Sequence, residues 1–195
     1  MGHWVDRGFV EQPPAGVDGA VVRSMLPAEA PDELVAFYSA LLSDPAELVR
    51  LHPAVPCAQS IPSAHEEFRS RRAWFAEHDD AQALWRQGPA AFREYFGDTP
   101  IGPNHWELHS WPEWYAVLPE DPASPCRVEC FPEGEDTFDA FASLAEMLDL
   151  CSRVFEDDTE RRLIPDLALN GIVTVTGGER SRFAHLGAPP DFFPW

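Results

Sequence analysis

His105, Glu107 and His109 are the side chains whose types and spacing come nearest to metal chemistry. Two imidazoles and a carboxylate can hold a divalent ion and activate its bound water. The helical arrangement that does this is His-Glu-x-x-His, where two rings four residues apart share a face and the Glu lies beside the water. Here the Glu is displaced by one position. Pro112 and the surrounding aromatic residues favour a strand. On a strand, residues four apart share a face but stand about 13 Å from each other, which is far for one ion. The expectation is therefore structural or surface histidines and no cofactor. A small metal-dependent enzyme using His105, Glu107 and His109 is the alternative.

The cysteines add a second pattern. His105-x-Glu107 followed by Pro125-Cys126-x-x-x-Cys130 resembles the zinc deaminase signature, in which a His and two Cys hold zinc and the Glu shuttles a proton. It departs from that signature in having three residues between the cysteines instead of two. Both segments also read as strand or loop, not as helix starts. Cys126 and Cys130 are read instead as residues on one face of a strand, and Cys151 as part of a helical apolar stripe. A nucleophilic cysteine needs a nearby cation to lower its pKa, and these neighbourhoods are acidic. The chain contains no phosphate loop, nucleophile elbow or dinucleotide fingerprint, so no catalytic residues are assigned.

Charge is the remaining functional signal, with a scaffold domain whose charge serves only solubility as the plain alternative. The formal net charge is −19, and all 14 basic residues are Arg. From Glu113 to Glu160, 14 acidic residues face only Arg127 and Arg153, a net −12. Such a field repels nucleic acid and anionic lipid and favours a basic protein partner. The expected binding surface comprises Glu120, Asp121, Glu129, Glu133, Glu135 and Asp136, on a stiff proline-rich loop and at a helix N-terminus. It would suit a cationic protein, for example a nuclease whose own surface binds phosphate. Arg69, Arg71 and Arg72 make the most basic stretch and read as a solvated helix face or as a counterpart to the acidic block. The N-terminus lacks a signal-peptide pattern and no run of about 18 apolar residues occurs, so no membrane span and a cytoplasmic location with reduced thiols are expected. Oligomeric state is not legible.

The elements that must position these residues follow from periodicity. With 45% hydrophobic residues the chain can bury a sizeable core. The reading is one α+β domain over residues 1–195: an irregular lead-in over 1–30, N-terminal helices, a small antiparallel sheet and a long packing helix. Within the lead-in, Phe9-Val10 and Ala20–Val22 could be edge strands. Leu34, Phe37, Tyr38, Leu41 and Leu42 mark a helix after Pro31. Asp44-Pro45 starts a short helix. Ser63 and Glu66 read as a capping box for a helix carrying Phe68, Trp74 and Phe75. Asp79-Asp80 and Gly88-Pro89 start two further pieces, the last closed by Gly97. Alternation at Trp106, Leu108 and Ser110 allows a strand, and Trp114–Leu118 and Cys126–Phe131 read as the strands of a hairpin. A helix is expected from about Thr137 to Phe155, with Phe138, Phe141, Leu144, Ala145, Leu148, Cys151 and Phe155 as its stripe. A terminal hairpin is expected around Ile172–Thr176.

The order of the Leu34–Leu42 helix, the Trp114–Leu118 and Cys126–Phe131 strands, and then Asp136-Thr-Phe138-Asp-Ala-Phe141-Ala-Ser-Leu144 resembles the SMI1/KNR4 (SUKH) superfamily. Leu26-Pro27 ahead of the first helix resembles the start of that family. The resemblance implies an α+β fold and, often, an immunity protein that binds and blocks a bacterial toxin.

Overall fold

The computed structural model describes residues 15–42, 44, 60–97, 101–110, 113–131 and 138–157. Within them the fold is α+β: six helices and a four-stranded antiparallel sheet. The Phe9-Val10 strand, the helix begun at Asp44-Pro45 and the Ile172–Thr176 hairpin lie outside the described residues.

The chain enters through α1 (Gly19–Met25), where Asp18 caps the first turn by accepting from the Ala20 amide at 2.7 Å. Ala20–Val22 is thus helical and not an edge strand. The cap outweighs the β-branched pair, and Val22 is buried. α2 (Asp32–Leu41) follows Pro31 and buries Leu34, Phe37, Tyr38 and Leu41, the face expected from their spacing. α3 (Ile61–Glu77) starts three residues earlier than the Ser63 box implies. Ser60 is the cap, with Pro62 in the first turn where no amide is lost. His78 then divides α3 from α4 (Asp79–Gln87). Gly88, at φ 114°, separates α4 from α5 (Pro89–Phe96), and left-handed Gly97 ends it.

The sheet is a simple meander in the order β1 (His105–Ser110), β2 (Glu113–Val117), β3 (Arg127–Phe131), β4 (Phe138–Phe141). α6 (Leu144–Asp157) returns from it. The expected Thr137–Phe155 helix is corrected here. Its first part is β4, and the helix begins at Leu144. The spacing of Phe138, Phe141 and Leu144 fits a helical stripe, but pairing with the β3 edge wins (Cys130 opposite Phe138, Val128 opposite Phe141). The true start carries its own signal. The Ser143 hydroxyl accepts from the Glu146 amide at 3.0 Å, while the Glu146 carboxylate accepts from the Ala142 amide at 2.8 Å.

One face of the sheet (Trp106, Leu108, Trp114, Ala116, Val128, Cys130, Phe141) packs with α1, α2, α6 and the first half of α3 in the main core. At its centre Trp106 Nε1 donates to the Tyr38 hydroxyl at 2.8 Å, both residues being fully buried. A satellite cluster of Phe75, Ala81 and Phe92, with Leu84 and Trp85 against it, holds the end of α3 to α4 and α5. Trp85 ties this helical lobe to the sheet: its ring lies over Gly102 and 5.6 Å from the His105 ring. No helix among the described residues is long and apolar enough to cross a membrane.

Candidate functional site

Strand alternation sends His105, Glu107, Tyr115, Glu129 and Phe131 to the face opposite the main core. There His105 is only 1% exposed. Its ring is surrounded by those of Trp85, Tyr115 and Phe131, all within 6 Å between centroids. Both ring nitrogens are engaged. Nδ1 accepts from the Gly102 amide at 3.0 Å, which fixes the proton on Nε2, and Nε2 donates to Glu129 Oε2 at 2.9 Å. The other Glu129 oxygen pairs with Arg127, whose Nε reaches Asp139 at 2.7 Å. Arg71 closes the edge of this network by donating to the His105 carbonyl at 2.8 Å, with its guanidinium 5.3 Å from the Tyr115 ring centre.

Burial opposes the charge on Glu129, but the hydrogen bonds from His105 and Arg127 and the positive charge of Arg127 outweigh it and hold its carboxyl below the ordinary range. The chain His105–Glu129–Arg127–Asp139 is thus a satisfied polar ladder across the sheet. Its imidazole offers no free lone pair to a metal ion.

Of the remaining metal candidates, Glu107 shares the sheet face of His105 two residues along β1. A bulge between Glu107 and His109 interrupts the alternation and sets His109 opposite Trp114. Glu107 is itself buried. Cys126 and Cys130 sit in the main core, across the sheet from His105 and Glu107, so the deaminase-like halves do not converge. Burial, and then the charge of Glu33, push the Cys126 thiol up to about 12, the opposite of an activated nucleophile. Among the described residues no group of three His, Cys, Asp or Glu side chains is placed to hold a metal.

Of the six acidic surface candidates, Glu120 and Asp121 are exposed together on the β2–β3 loop. Glu129 is turned inward into the ladder instead. Glu133, Glu135 and Asp136 lie outside the described residues. The loop is firmly held. Asp121 accepts from the Ala123 amide at 3.1 Å and from the Ser124 hydroxyl at 3.3 Å. The Pro122 carbonyl accepts from the Asp32 amide at 3.4 Å, and the Leu118 amide donates to Asn104 at 2.8 Å. Beneath it Glu33 joins three elements, accepting from the Cys126 amide at 2.7 Å and from the Ala145 amide at 3.0 Å. In the sequence Glu33 reads only as a first-turn acid, because its partners lie 93 and 112 residues away.

Arg69, Arg71 and Arg72 do not face the β2–β3 loop as a block. Arg71 belongs to the His105 network, and Arg72 pairs with Glu29. Arg72, with Arg69 and His65, borders an open cleft of about 920 Å³ between α3 and the Pro27–Glu29 turn. No family model matches the chain, and neither curated proteins nor solved structures give a match.

Proposed function

We propose that this chain is a non-enzymatic acidic binding protein that masks a basic protein partner, in the manner of an immunity protein that neutralises a bacterial toxin. The β2–β3 loop carries the reading. Its Glu120 and Asp121 carboxylates are exposed, yet its backbone is pinned at Asp121, Pro122 and Leu118. A preorganised loop on a rigid sheet loses little entropy when it binds, and its charge matches the net −19 of the chain. The buried, doubly bonded His105 supports a structural role for the residues that a metal-dependent enzyme would use.

The test is capture from a native lysate with the tagged chain, compared with a Glu120→Arg/Asp121→Arg variant and washed at low and high salt. One stoichiometric basic partner, lost at high salt and lost in the variant, is the expected result. Equal capture by both forms would remove the loop from the binding surface.

A further inference from the structure

We propose that an aromatic ledge formed by Trp74, His78, Tyr95 and Phe96 is the contact surface for an arginine-bearing segment of the partner. This rests on the reading above that the partner is basic. The ledge lies on the α3–α5 lobe, not on the β2–β3 loop.

Three of its members are the large apolar side chains that the lobe leaves outside: Tyr95 is 65% exposed, Phe96 39% and Trp74 38%. They are contiguous. The Trp74 and Phe96 ring centres are 5.9 Å apart and those of Phe96 and Tyr95 4.9 Å apart. His78 stacks on Trp74 at 4.5 Å, and the Trp74 carbonyl accepts from its Nδ1 at 2.7 Å, so its ring continues the surface. The satellite core behind is complete without these faces. Phe96 leans on Phe92 at 4.5 Å and Trp74 meets Phe75 edge-on at 5.1 Å, so each side chain is fixed from one side and open on the other. Rigid, half-exposed Trp and Tyr side chains bring large contact area at low entropic cost, which is why they dominate interface energetics.

Charge selects the occupant. Glu77, Asp79 and Asp80 flank His78 in the chain and Glu94 precedes Tyr95, and all four are exposed. Exposed aromatic rings with carboxylates adjacent in sequence suit a guanidinium, which can stack on a ring while its N–H groups pair with acids. An ammonium is more strongly hydrated and gains less from such a surface. An aliphatic partner would leave the acidic border unpaired.

The experiment uses the full chain with oligoarginine and oligolysine peptides of equal length, titrated by calorimetry at about 0.15 M and about 0.5 M salt. The variants are Tyr95→Ala, Tyr95→Phe and Glu120→Arg/Asp121→Arg, each checked for fold by circular dichroism. Tighter binding of oligoarginine than of oligolysine is expected, persisting at the higher salt. Tyr95→Ala should weaken it on the order of fivefold, and Tyr95→Phe should restore it. Arginine and lysine peptides bound equally, or an arginine preference indifferent to Tyr95→Ala, would overturn the ledge. Sensitivity to the Glu120/Asp121 reversal alone would then leave the acidic-loop reading standing. Failure of both peptides to bind would count against the basic partner itself.

Discussion

Glu129 is where a single side chain governs most. It accepts from His105 with one carboxylate oxygen, and with the other it pairs with the half-exposed Arg127. Because its carboxyl titrates below the ordinary range when folded, its stabilising contribution is complete above the pKa it has in the unfolded chain. That contribution is lost as pH falls through the folded value. Replacing Glu129 with Gln is therefore expected to destabilise the protein by about 2 kcal/mol at neutral pH, with the gap to wild type closing on acidification. Urea titrations across a pH series measure this, and a gap that does not change with pH would refute it. Glu33 offers a second case, with a control beside it. Glu33→Ala removes two charge-assisted bonds between elements and is expected to lower stability by about 2–3 kcal/mol. Asp32, whose side chain is 91% exposed and pairs with Arg23 at the surface, should lose under about 1 kcal/mol on the same change. Chemical denaturation of the two variants gives the comparison, and equal losses would contradict the joining role of Glu33.

At the scale of elements, the helix α2 and strands β1 to β3 were legible because their burial is local in pattern: Leu34 to Leu42 repeat on one helical face, and Trp106 with Leu108 alternate on one strand face. The breaks at Asp79 and at Gly88-Pro89 were legible from turn and cap chemistry. β4 was not, since Phe138 and Phe141 fit a helical stripe and only the free edge of β3 decides between strand and helix. The Ser143–Glu146 box held the missing boundary. The His105 ladder was not legible either, because its contacts reach from β1 across β2 to β3 and depend on register, which no short motif encodes. The docking of the α4–α5 lobe depends in the same way on Gly102. A Cβ there would stand 2.2 Å from the Trp85 ring, so Gly102→Ala must displace the indole. We expect a loss of about 1–3 kcal/mol. Hydrogen exchange should show it first: amides of α4 and α5 lose protection while those of β2 and β3 keep theirs. Uniform loss across lobe and sheet would mean that Trp85 is not the separate tether inferred here.

At the scale of the whole molecule, charge acts on folding and on binding with opposite signs, which separates the two. A net −19 opposes compaction through self-repulsion, and at low ionic strength, with a Debye length near 30 Å, carboxylates on all sides of the molecule feel one another. The ion pairs that resist this are few among the described residues, and Arg23–Asp32, Arg153–Asp149 and Arg72–Glu29 are at the surface, where each contributes little. Screening should therefore relieve more repulsion than it removes attraction. The thermal midpoint is expected to rise by a few degrees between about 0.01 M and about 0.15 M salt, where the Debye length has shrunk to about 8 Å. Over the same range a complex held by Glu120 and Asp121 should weaken, since its attraction crosses an exposed interface. Scanning calorimetry of the free chain beside titration of the proposed complex tests both signs on one preparation. A midpoint that falls with salt would show that the ion pairs outweigh the excess charge, and the acidity would then be part of what folds the protein.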